Sequence, residues 1–164
     1  MKIEFYYLDS MNETELEFAV ISAIYKGKWV YVRHKERKTW EIAGGRREAG
    51  ETIEETAKRE LFEETGCIDV DLIPICDYSM NDSITKTFGR LYFARIKEIG
   101  LLPASEIDEI KRFDCLPNNL TYSEIQPKLF EKTLTFIRDM KIDTKNYRCF
   151  SKKIGNIFIL KGPD

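Results

Sequence analysis

The segment from Gly45 to Cys67, with the sequence GRREAGETIEETAKRELFEETGC, holds residue types that could do chemistry. Its carboxylates are so closely spaced that they repel one another unless a positive charge lies among them. A metal ion held by carboxylates beside a glycine loop indicates phosphate chemistry. The candidate residues are two glycines in a predicted loop, together with one arginine and three glutamates on a predicted helix: Gly44, Gly45, Arg59, Glu60, Glu63 and Glu64.

The predicted helix has clear boundaries in the sequence. Thr52 and Glu55 form a capping-box pattern at its start, which satisfies amide groups that have no partner in the first turn. Gly66 ends the helix, since glycine readily adopts the left-handed conformation that follows a helical segment. The helix is therefore predicted to begin after Glu51 and to end before Gly66.

The three glutamates lie on the half-buried side of this helix. At about 100° per residue, Glu60, Glu63 and Glu64 fall within an arc of about 100° that overlaps the apolar ridge. The alternative is a solvated face with ion pairs at spacing four, which Glu54 and Lys58 fit. Glu60 and Glu64 have no basic residue at that spacing, so a bound cation explains them better. Oxygen ligands without a nearby Cys or His favour Mg²⁺ or Mn²⁺.

The spacing of these residues resembles a known family signature. Eight fixed residues would match by chance on the order of 10⁻¹⁰ per start point at typical residue usage. Two departures, Ala43 before the glycines and Cys67 after the last one, remove no candidate ligand. The pattern that is similar to the signature of the Nudix (MutT-like) hydrolases is Gly45, five residues, Glu51, seven residues, Arg59-Glu60-Leu61, one residue, Glu63-Glu64, one residue and Gly66.

This resemblance implies a fold and a set of metal ligands. The fold is of the α+β class: the Nudix fold, an α/β/α sandwich in which a mixed sheet lies between helices and the signature forms a loop–helix–loop. Glu60, Glu63 and Glu64 would hold Mg²⁺ together with the backbone carbonyl of Gly44. Members of the family hydrolyse a nucleoside diphosphate that is linked to another group.

The resemblance also implies catalytic and structural roles. Glu60, or a carboxylate outside the signature, would take the proton from the attacking water. Arg59 would orient the carboxylates, Glu51 would brace the loop, and Gly66 is a structural residue of the motif. Many relatives use another acid from a later loop, and here Glu109 fits best.

Glu106 is the second candidate for that acid, and a solvated acidic loop is the alternative to both.

The substrate branch is indicated by WEIAGG and LPNNLTYSEIQP, which resemble the small nucleoside triphosphate hydrolases often labelled 8-oxo-dGTP diphosphatases. The implied reaction converts a purine nucleoside triphosphate, oxidised or not, to the monophosphate and pyrophosphate. Asn118 or Asn119 could read a purine edge because a carboxamide both donates and accepts hydrogen bonds. The more common role for asparagines after Pro117 is in a turn.

A basic run precedes the glycines and consists of Arg33, His34, Lys35, Arg37 and Lys38. Such a run is more often a solvated loop, but it could guide a polyphosphate or an RNA 5′ end. Arg33 and Gly45 are therefore predicted substrate contacts, as is Asn119. The alternatives to the triphosphate are RNA 5′-pyrophosphohydrolysis and hydrolysis of ADP-ribose or dinucleoside polyphosphates. A non-catalytic nucleotide-binding regulatory module is a further alternative, which the complete set of signature carboxylates disfavours.

The elements that position these residues follow from apolar patterning and turn residues. The first two strands are predicted to form a hairpin, and the region around Pro74 is predicted to hold one or two strands. A second helix is predicted from about Ile125 to Met140, with Thr121 or Ser123 as its cap, and a terminal hairpin in Asn146–Leu160. The predicted strands are Leu16–Tyr25, Trp29–His34, Trp40–Ile42, Ile68–Tyr78, Thr87–Ile96 and Lys111–Leu116, with a loop over 100–109.

Composition sets the remaining expectations. The chain has 164 residues, of which 43% are apolar and 33% charged, with a net charge of −2. We expect a single domain over 1–164, with a core of about 16–140 and a C-terminal extension at 141–164. The four dispersed cysteines, expected to be reduced, and the single histidine exclude a zinc site. We expect a cytoplasmic protein without a membrane span, which binds a nucleotide and binds nucleic acid only under the RNA alternative.

Overall fold

The computed structural model describes residues 2–82 and 84–143. A seven-stranded mixed sheet forms its centre, in the order β1-β5-β6-β2-β3-β7, with β4 paired to β2. The β2–β6 pair is parallel and the other pairs are antiparallel. The elements are β1 (Lys2–Tyr6), a 3₁₀ turn (Glu13–Glu15), β2 (Leu16–Tyr25), β3 (Lys28–His34), β4 (Ala43–Arg46), α1 (Ile53–Thr65), β5 (Cys67–Asn81), β6 (Lys86–Ile99), β7 (Ile107–Phe113) and α2 (Gln126–Asp139).

The two helices cover opposite faces of the sheet. α1 buries Ile53, Ala57 and Leu61 in a cluster with residues of β2, β3 and β6. α2 buries Leu129 and Phe130 in a second cluster, on the other face of the sheet. Burying apolar side chains on both faces drives this arrangement. The predicted α/β/α sandwich around a mixed sheet is therefore confirmed.

The predicted hairpin of β2 and β3 is also confirmed. Ala23 lies opposite Val30 and Tyr25 opposite Lys28, in an antiparallel pair. The turn between the strands places Gly27 at a φ of 76°, a left-handed conformation that glycine adopts without a Cβ penalty.

The strand predicted at Trp40–Ile42 is wrong in position, because the observed strand runs through the glycines instead. Trp40 and Glu41 make only isolated bridges, while β4 pairs with β2 through Gly44 and Gly45. The glycines permit this close approach, since a Cβ at Gly44 would lie 2.5 Å from the carbonyl oxygen of Ala19. The predicted glycine loop is therefore a strand, held to the middle of the sheet.

Three boundaries on the C-terminal side also differ from the predictions. β5 is a single strand, one of the two alternatives predicted around Pro74, and it extends to Asn81, beyond the predicted end at Tyr78. Its register shifts between Pro74 and Cys76. β7 begins at Ile107, within the predicted loop, and ends before the predicted strand does, because it pairs along β3. The start of α2 has no side-chain cap, and its N-cap residue is Ile125 instead of Thr121 or Ser123. A proline in the first turn favours this start, since it needs no amide partner there.

β1 is an element that the sequence analysis missed, and it pairs with β5 through Ile3 and Phe5.

Cys67 and Cys76 are free thiols, as expected, whereas Cys115 is disulfide-bonded, so the expectation of a reduced thiol is wrong for this residue. Within residues 2–82 and 84–143, neither helix is long and apolar enough to cross a membrane. The hairpin predicted in Asn146–Leu160 lies outside the described residues.

Candidate active site

The signature helix α1 has the predicted caps. The Thr52 side chain accepts a hydrogen bond from the Glu55 amide, and the Glu55 carboxylate accepts one from the Thr52 amide. Gly66 adopts the left-handed conformation at a φ of 70°, and a Cβ there would lie 2.8 Å from the carbonyl oxygen of Leu101. These caps fix both ends of the helix that carries the candidate acids.

Arg59 lies at the centre of the acids. Its Nε donates to Glu51 Oε1 at 2.6 Å and its Nη2 donates to Glu51 Oε2 at 3.0 Å. Its Nη1 donates to Glu60 at 2.8 Å and to Glu63 at 3.1 Å. Nη2 also donates to the carbonyl oxygen of Arg46 in β4 at 3.0 Å. One guanidinium thus fixes three carboxylates relative to the glycine strand.

Glu51 is the acid that Arg59 holds in a bidentate pair. Its carboxylate also accepts hydrogen bonds from the Glu48 amide at 3.1 Å and from the Thr56 hydroxyl at 2.8 Å. The hydrogen bonds from Arg59, above all, lower the pKa of Glu51 to about 2. Glu51 therefore stays ionised and ties the loop before α1 to the helix.

Glu60 lies directly against the second glycine. Its side chain is only 14% exposed, and burial raises the pKa of Glu60 despite the neighbouring guanidinium of Arg59. A Cβ built at Gly45 would lie within 2.6 Å of both carboxylate oxygens of Glu60. Glycine at position 45 is therefore required for space, because the Glu60 carboxylate occupies the volume of a side chain.

Glu64 is the least compensated acid of the group. The amide of Gly44 donates to its Oε2 at 2.9 Å, and among the described residues no basic side chain forms an ion pair with it. Burial, above all, and the carboxylates of Glu60, Glu41 and Glu106 together raise the pKa of Glu64 to about 8, although the Gly44 amide lowers it. A carboxylate in this environment is costly to ionise unless a cation is supplied.

The residues fit an oxygen-bound divalent cation. Four carboxylates lie around one guanidinium, which pairs with three of them, so the site has an excess of negative charge. Burial raises the pKa of two of the acids, Glu60 and Glu64. Within the described residues, no three acidic, histidine or cysteine side chains are already gathered as a metal-binding group, and Arg59 holds three of the acids. A cation bound by Glu60, Glu63 and Glu64 would therefore compete with Arg59 for two of its ligands.

Glu109 and Arg33 lie on the β3–β7 pair, where they contact each other. Arg33 Nη2 lies 2.8 Å from Glu109 Oε2 and 2.7 Å from Asp108 Oδ2. Glu106 directly precedes β7, and its Oε2 lies 2.9 Å from Nε2 of His34. Of the two acids that the sequence suggested outside the signature, Glu106 is the one that contributes to the raised pKa of Glu64.

The other predicted substrate residues are occupied by contacts within the protein. The side-chain amide of Asn119 donates to the carbonyl oxygen of Lys38 at 2.8 Å, and its backbone carbonyl accepts from the Trp40 amide at 2.8 Å. In the basic run, Arg37 pairs with Glu41 and Lys35 donates to a backbone carbonyl. The run is thus largely neutralised where it approaches the site.

Glu41 is a residue that sequence reasoning missed. Its side chain is only 14% exposed and accepts from Arg37 Nη1 at 2.9 and 3.0 Å, and its charge contributes to the raised pKa of Glu64. The available signal was an acid between Trp40 and Ile42, two apolar residues directly before the glycine strand.

Comparisons with solved structures show the same fold in other proteins. The Bacillus subtilis pyrophosphohydrolase BsRppH is 22% identical with a TM-score of 0.69, and the match covers 80% of this chain and 89% of that one. A MutT NUDIX hydrolase from Burkholderia pseudomallei is 20% identical with a TM-score of 0.57, covering 70% and 95%. The NUDIX domain of Shewanella oneidensis NrtR, in complex with ADP-ribose, is 18% identical with a TM-score of 0.60, covering 77% and 88%.

A search among curated proteins found no match. The family model of the NUDIX domain matches residues 16–132, which is most of the chain and includes every candidate site residue named above. The resemblance inferred from the signature is confirmed. The chain belongs to the Nudix family.

Proposed function

We propose that this protein uses Mg²⁺ or Mn²⁺ to hydrolyse a purine nucleoside triphosphate, oxidised or not, to the monophosphate and pyrophosphate. The observation that carries the proposal is the excess of carboxylates around Arg59, above all the half-buried Glu64 without an ion pair. An acidic site of this kind has no ordinary structural purpose, since each uncompensated charge destabilises the fold. It is suited to binding a divalent cation through oxygen ligands.

Glu60, Glu63 and Glu64 are the proposed ligands, with the backbone carbonyl of Gly44. The bound cation would supply charge neutralisation on the phosphates and an acidified, oriented water. The carboxylates fix the position of the cation relative to the glycine strand, and Arg59 limits their freedom. Gly45 leaves the space beside the Glu60 carboxylate free of any side chain.

Glu60 is the proposed proton acceptor. Water attacks a phosphorus atom, the bond from that phosphorus to the leaving phosphate oxygen breaks, and the water proton passes to the carboxylate. The Glu60 side chain is 14% exposed and lies against the glycine strand, beside the proposed cation. Glu109 is the second candidate: an arginine engages each of the two acids at 2.8 Å, but the Glu109 side chain is more exposed, at 42%.

Contacts near the site bear on the choice of substrate. Arg33 and Arg37 are engaged in ion pairs, so their charges are less available to a long polyanion, which favours a small nucleotide over an RNA 5′ end. ADP-ribose forms the second candidate class, since the NUDIX domain of NrtR has the same fold and was solved with that ligand. A nucleotide partner and a cytoplasmic location remain part of the proposal.

The experiment is a substrate screen with the purified protein in Mg²⁺ and in Mn²⁺. The substrates are the common nucleoside triphosphates, 8-oxo-dGTP, ADP-ribose, dinucleoside polyphosphates and triphosphorylated RNA. We expect pyrophosphate release from a purine triphosphate at the highest kcat/KM. Release of no phosphate product from any of these compounds, by a protein that binds Mn²⁺, would favour the non-catalytic binding module.

A further inference from the structure

The residues between β1 and β2 form a segment that we call the N-terminal brace, Asp9–Glu15. It precedes the residues that match the family model, which begin at position 16. The brace contacts three parts of the molecule: the β5–β6 pair, the loop before α1, and the first residue of α1 itself. It therefore links the sheet to the start of the helix that carries the candidate metal ligands.

One end of the brace is anchored to a buried ion pair. Asp77 in β5 is fully buried and accepts from Arg90 Nε at 2.7 Å. The same Asp77 accepts from the backbone amide of Met11 at 3.1 Å, and Arg90 also donates to Asp9 at 2.8 Å. Asp9 has a φ of 60°, a conformation in which Asp is enriched among non-glycine residues. This end of the brace is thus fixed to the sheet by charged hydrogen bonds.

The other end of the brace reaches the N-terminus of α1. The amide of Ile53, the first residue of the helix, donates to Glu13 Oε1 at 2.5 Å. The Thr52 hydroxyl oxygen already accepts a hydrogen bond from the Glu55 amide. The Ile53 amide therefore needs another acceptor. Glu13 supplies that acceptor from outside the helix, and its negative charge lies at the favourable end of the helix dipole.

Arg47 connects the brace to the loop before α1. Its Nη2 donates to the carbonyl oxygen of Thr14 at 3.1 Å, and its Nη1 lies 3.5 Å from the carbonyl oxygen of Glu51. Its amide donates to the carbonyl oxygen of Glu17 in β2 at 2.7 Å. Arg47 therefore holds the loop that carries Glu51 to the brace, while the bidentate pair with Arg59 holds the same loop to α1.

We propose that Glu13 is a positioning residue for the metal site, acting through the Ile53 amide on the placement of α1. The inference rests on the proposed function. A shift at the start of α1 moves Glu51 and the whole helix relative to the glycine strand. It would therefore disturb the contacts of Arg59 with the Arg46 carbonyl oxygen and of Glu64 with the Gly44 amide, on which the placement of the ligands against the glycine strand depends.

The test measures Mn²⁺ binding by electron paramagnetic resonance in full-length variants, with kcat, KM and the unfolding temperature measured in parallel. Glu13→Ala removes the acceptor, Glu13→Asp withdraws it by one methylene, and Glu13→Gln keeps an acceptor oxygen without the charge. Glu54→Gln is the matched control, since it removes a first-turn charge of α1 that pairs only with Lys58.

We expect Glu13→Ala to raise the Mn²⁺ dissociation constant about three- to tenfold and Glu13→Asp to raise it less. Glu13→Gln and the control should stay within about twofold of wild type. The inference is overturned if Glu13→Ala and Glu13→Asp bind Mn²⁺ like wild type, even with a lowered unfolding temperature. Failure of the proposed function would look different: wild type would bind Mn²⁺ and hydrolyse no nucleotide, while the order of the variants in Mn²⁺ binding would persist.

Discussion

Two arginines of this protein, Arg90 and Arg59, lie among acids. The guanidinium of Arg90 matches the buried acid beside it, whereas the acids around Arg59 outnumber the positive charge. Arg90 joins β6 to β5, where it meets one buried acid, Asp77, and one exposed acid, Asp9. The Asp77 carboxylate has a further donor in the amide of Met11. In this cluster, the single buried negative charge is fully matched within the protein.

The Arg59 cluster is not balanced in this way. Its guanidinium is shared by Glu51, Glu60 and Glu63, while among the described residues Glu64 has a backbone amide as its donor and no basic side chain. Burying a charge without a partner costs stability, whereas a matched pair is close to neutral. The difference is our basis for assigning a structural role to the Arg90 cluster and for proposing that the Arg59 cluster binds a cation.

The largest effect is expected from Glu64→Gln. Removing this charge should lower metal-dependent hydrolysis by about a thousandfold or more, since a bound cation supplies several kcal/mol of transition-state stabilisation. At pH 9, above the raised pKa of Glu64, the unfolding midpoint of the metal-free protein should not fall, because a buried uncompensated charge is removed. Steady-state kinetics and urea unfolding measure both, with the exposed Glu131→Gln as the control. A variant that keeps its activity but loses stability would assign Glu64 to the structural class.

The balanced cluster should respond in the opposite way. Arg90→Gln leaves the buried carboxylate of Asp77 without its cation, which should lower the free energy of unfolding by about 3–5 kcal/mol. Urea unfolding measures the loss, and Arg138→Gln, which removes an exposed pair with Asp139, serves as the control. A loss below about 1 kcal/mol, the size typical of exposed pairs, would remove the contrast between the two clusters.

The pH dependence of stability should separate the clusters further. The pKa of Glu64 is raised from 4.5 to about 8 in the folded state, so the folded protein binds this proton more tightly than the unfolded chain. Its contribution is fully present below pH 4.5 and is lost as the pH rises through about 8. Metal-free wild type should therefore lose stability between these pH values, and Mn²⁺ should bind more tightly as the pH rises.

Urea unfolding at pH 6 and pH 9, without metal, measures this effect. Glu64→Gln cannot titrate at that position, so it should lack this part of the pH dependence. An identical pH dependence in the variant and wild type would show that the proton is bound elsewhere.

The smallest effect is expected at the exposed pair of Arg33 and Glu109, whose side chains are 29% and 42% exposed. Glu109→Gln should cost less than about 1 kcal/mol of stability, as is typical of solvated ion pairs. If Glu60 is the proton acceptor, kcat should stay within about threefold of wild type. A loss of about 10²–10⁴ in kcat would instead assign proton transfer to Glu109.

Local rules predicted α1 well. Its caps and its end at Gly66 depend on residues that are adjacent in the sequence, so the pattern alone locates them. The spacing of Glu60, Glu63 and Glu64 likewise follows from helix geometry. Hydrophobic patterning predicted β2 and β3 for the same reason, since their alternating and continuous apolar runs need no distant information.

Long-range pairing accounts for most of what the sequence did not predict. β4 and β7 are defined by the strands beside them, and β1 by its pairing with β5, some seventy positions away. The proximity of Glu41 and Glu106 to Glu64 depends on the same pairings. No local pattern in the sequence indicates which acid of a loop will lie near a given helix.

The parallel pairing of β2 with β6 has a consequence for synthesis on the ribosome. β3, the glycine strand β4 and α1 follow β2 in that order, so this half of the site is translated as one stretch. β6 is translated only after α1 and β5, and until then one edge of β2 has no partner. An unpaired, largely apolar strand edge invites intermolecular association. We therefore expect truncations that end before β6 to aggregate, even though they contain every proposed metal ligand.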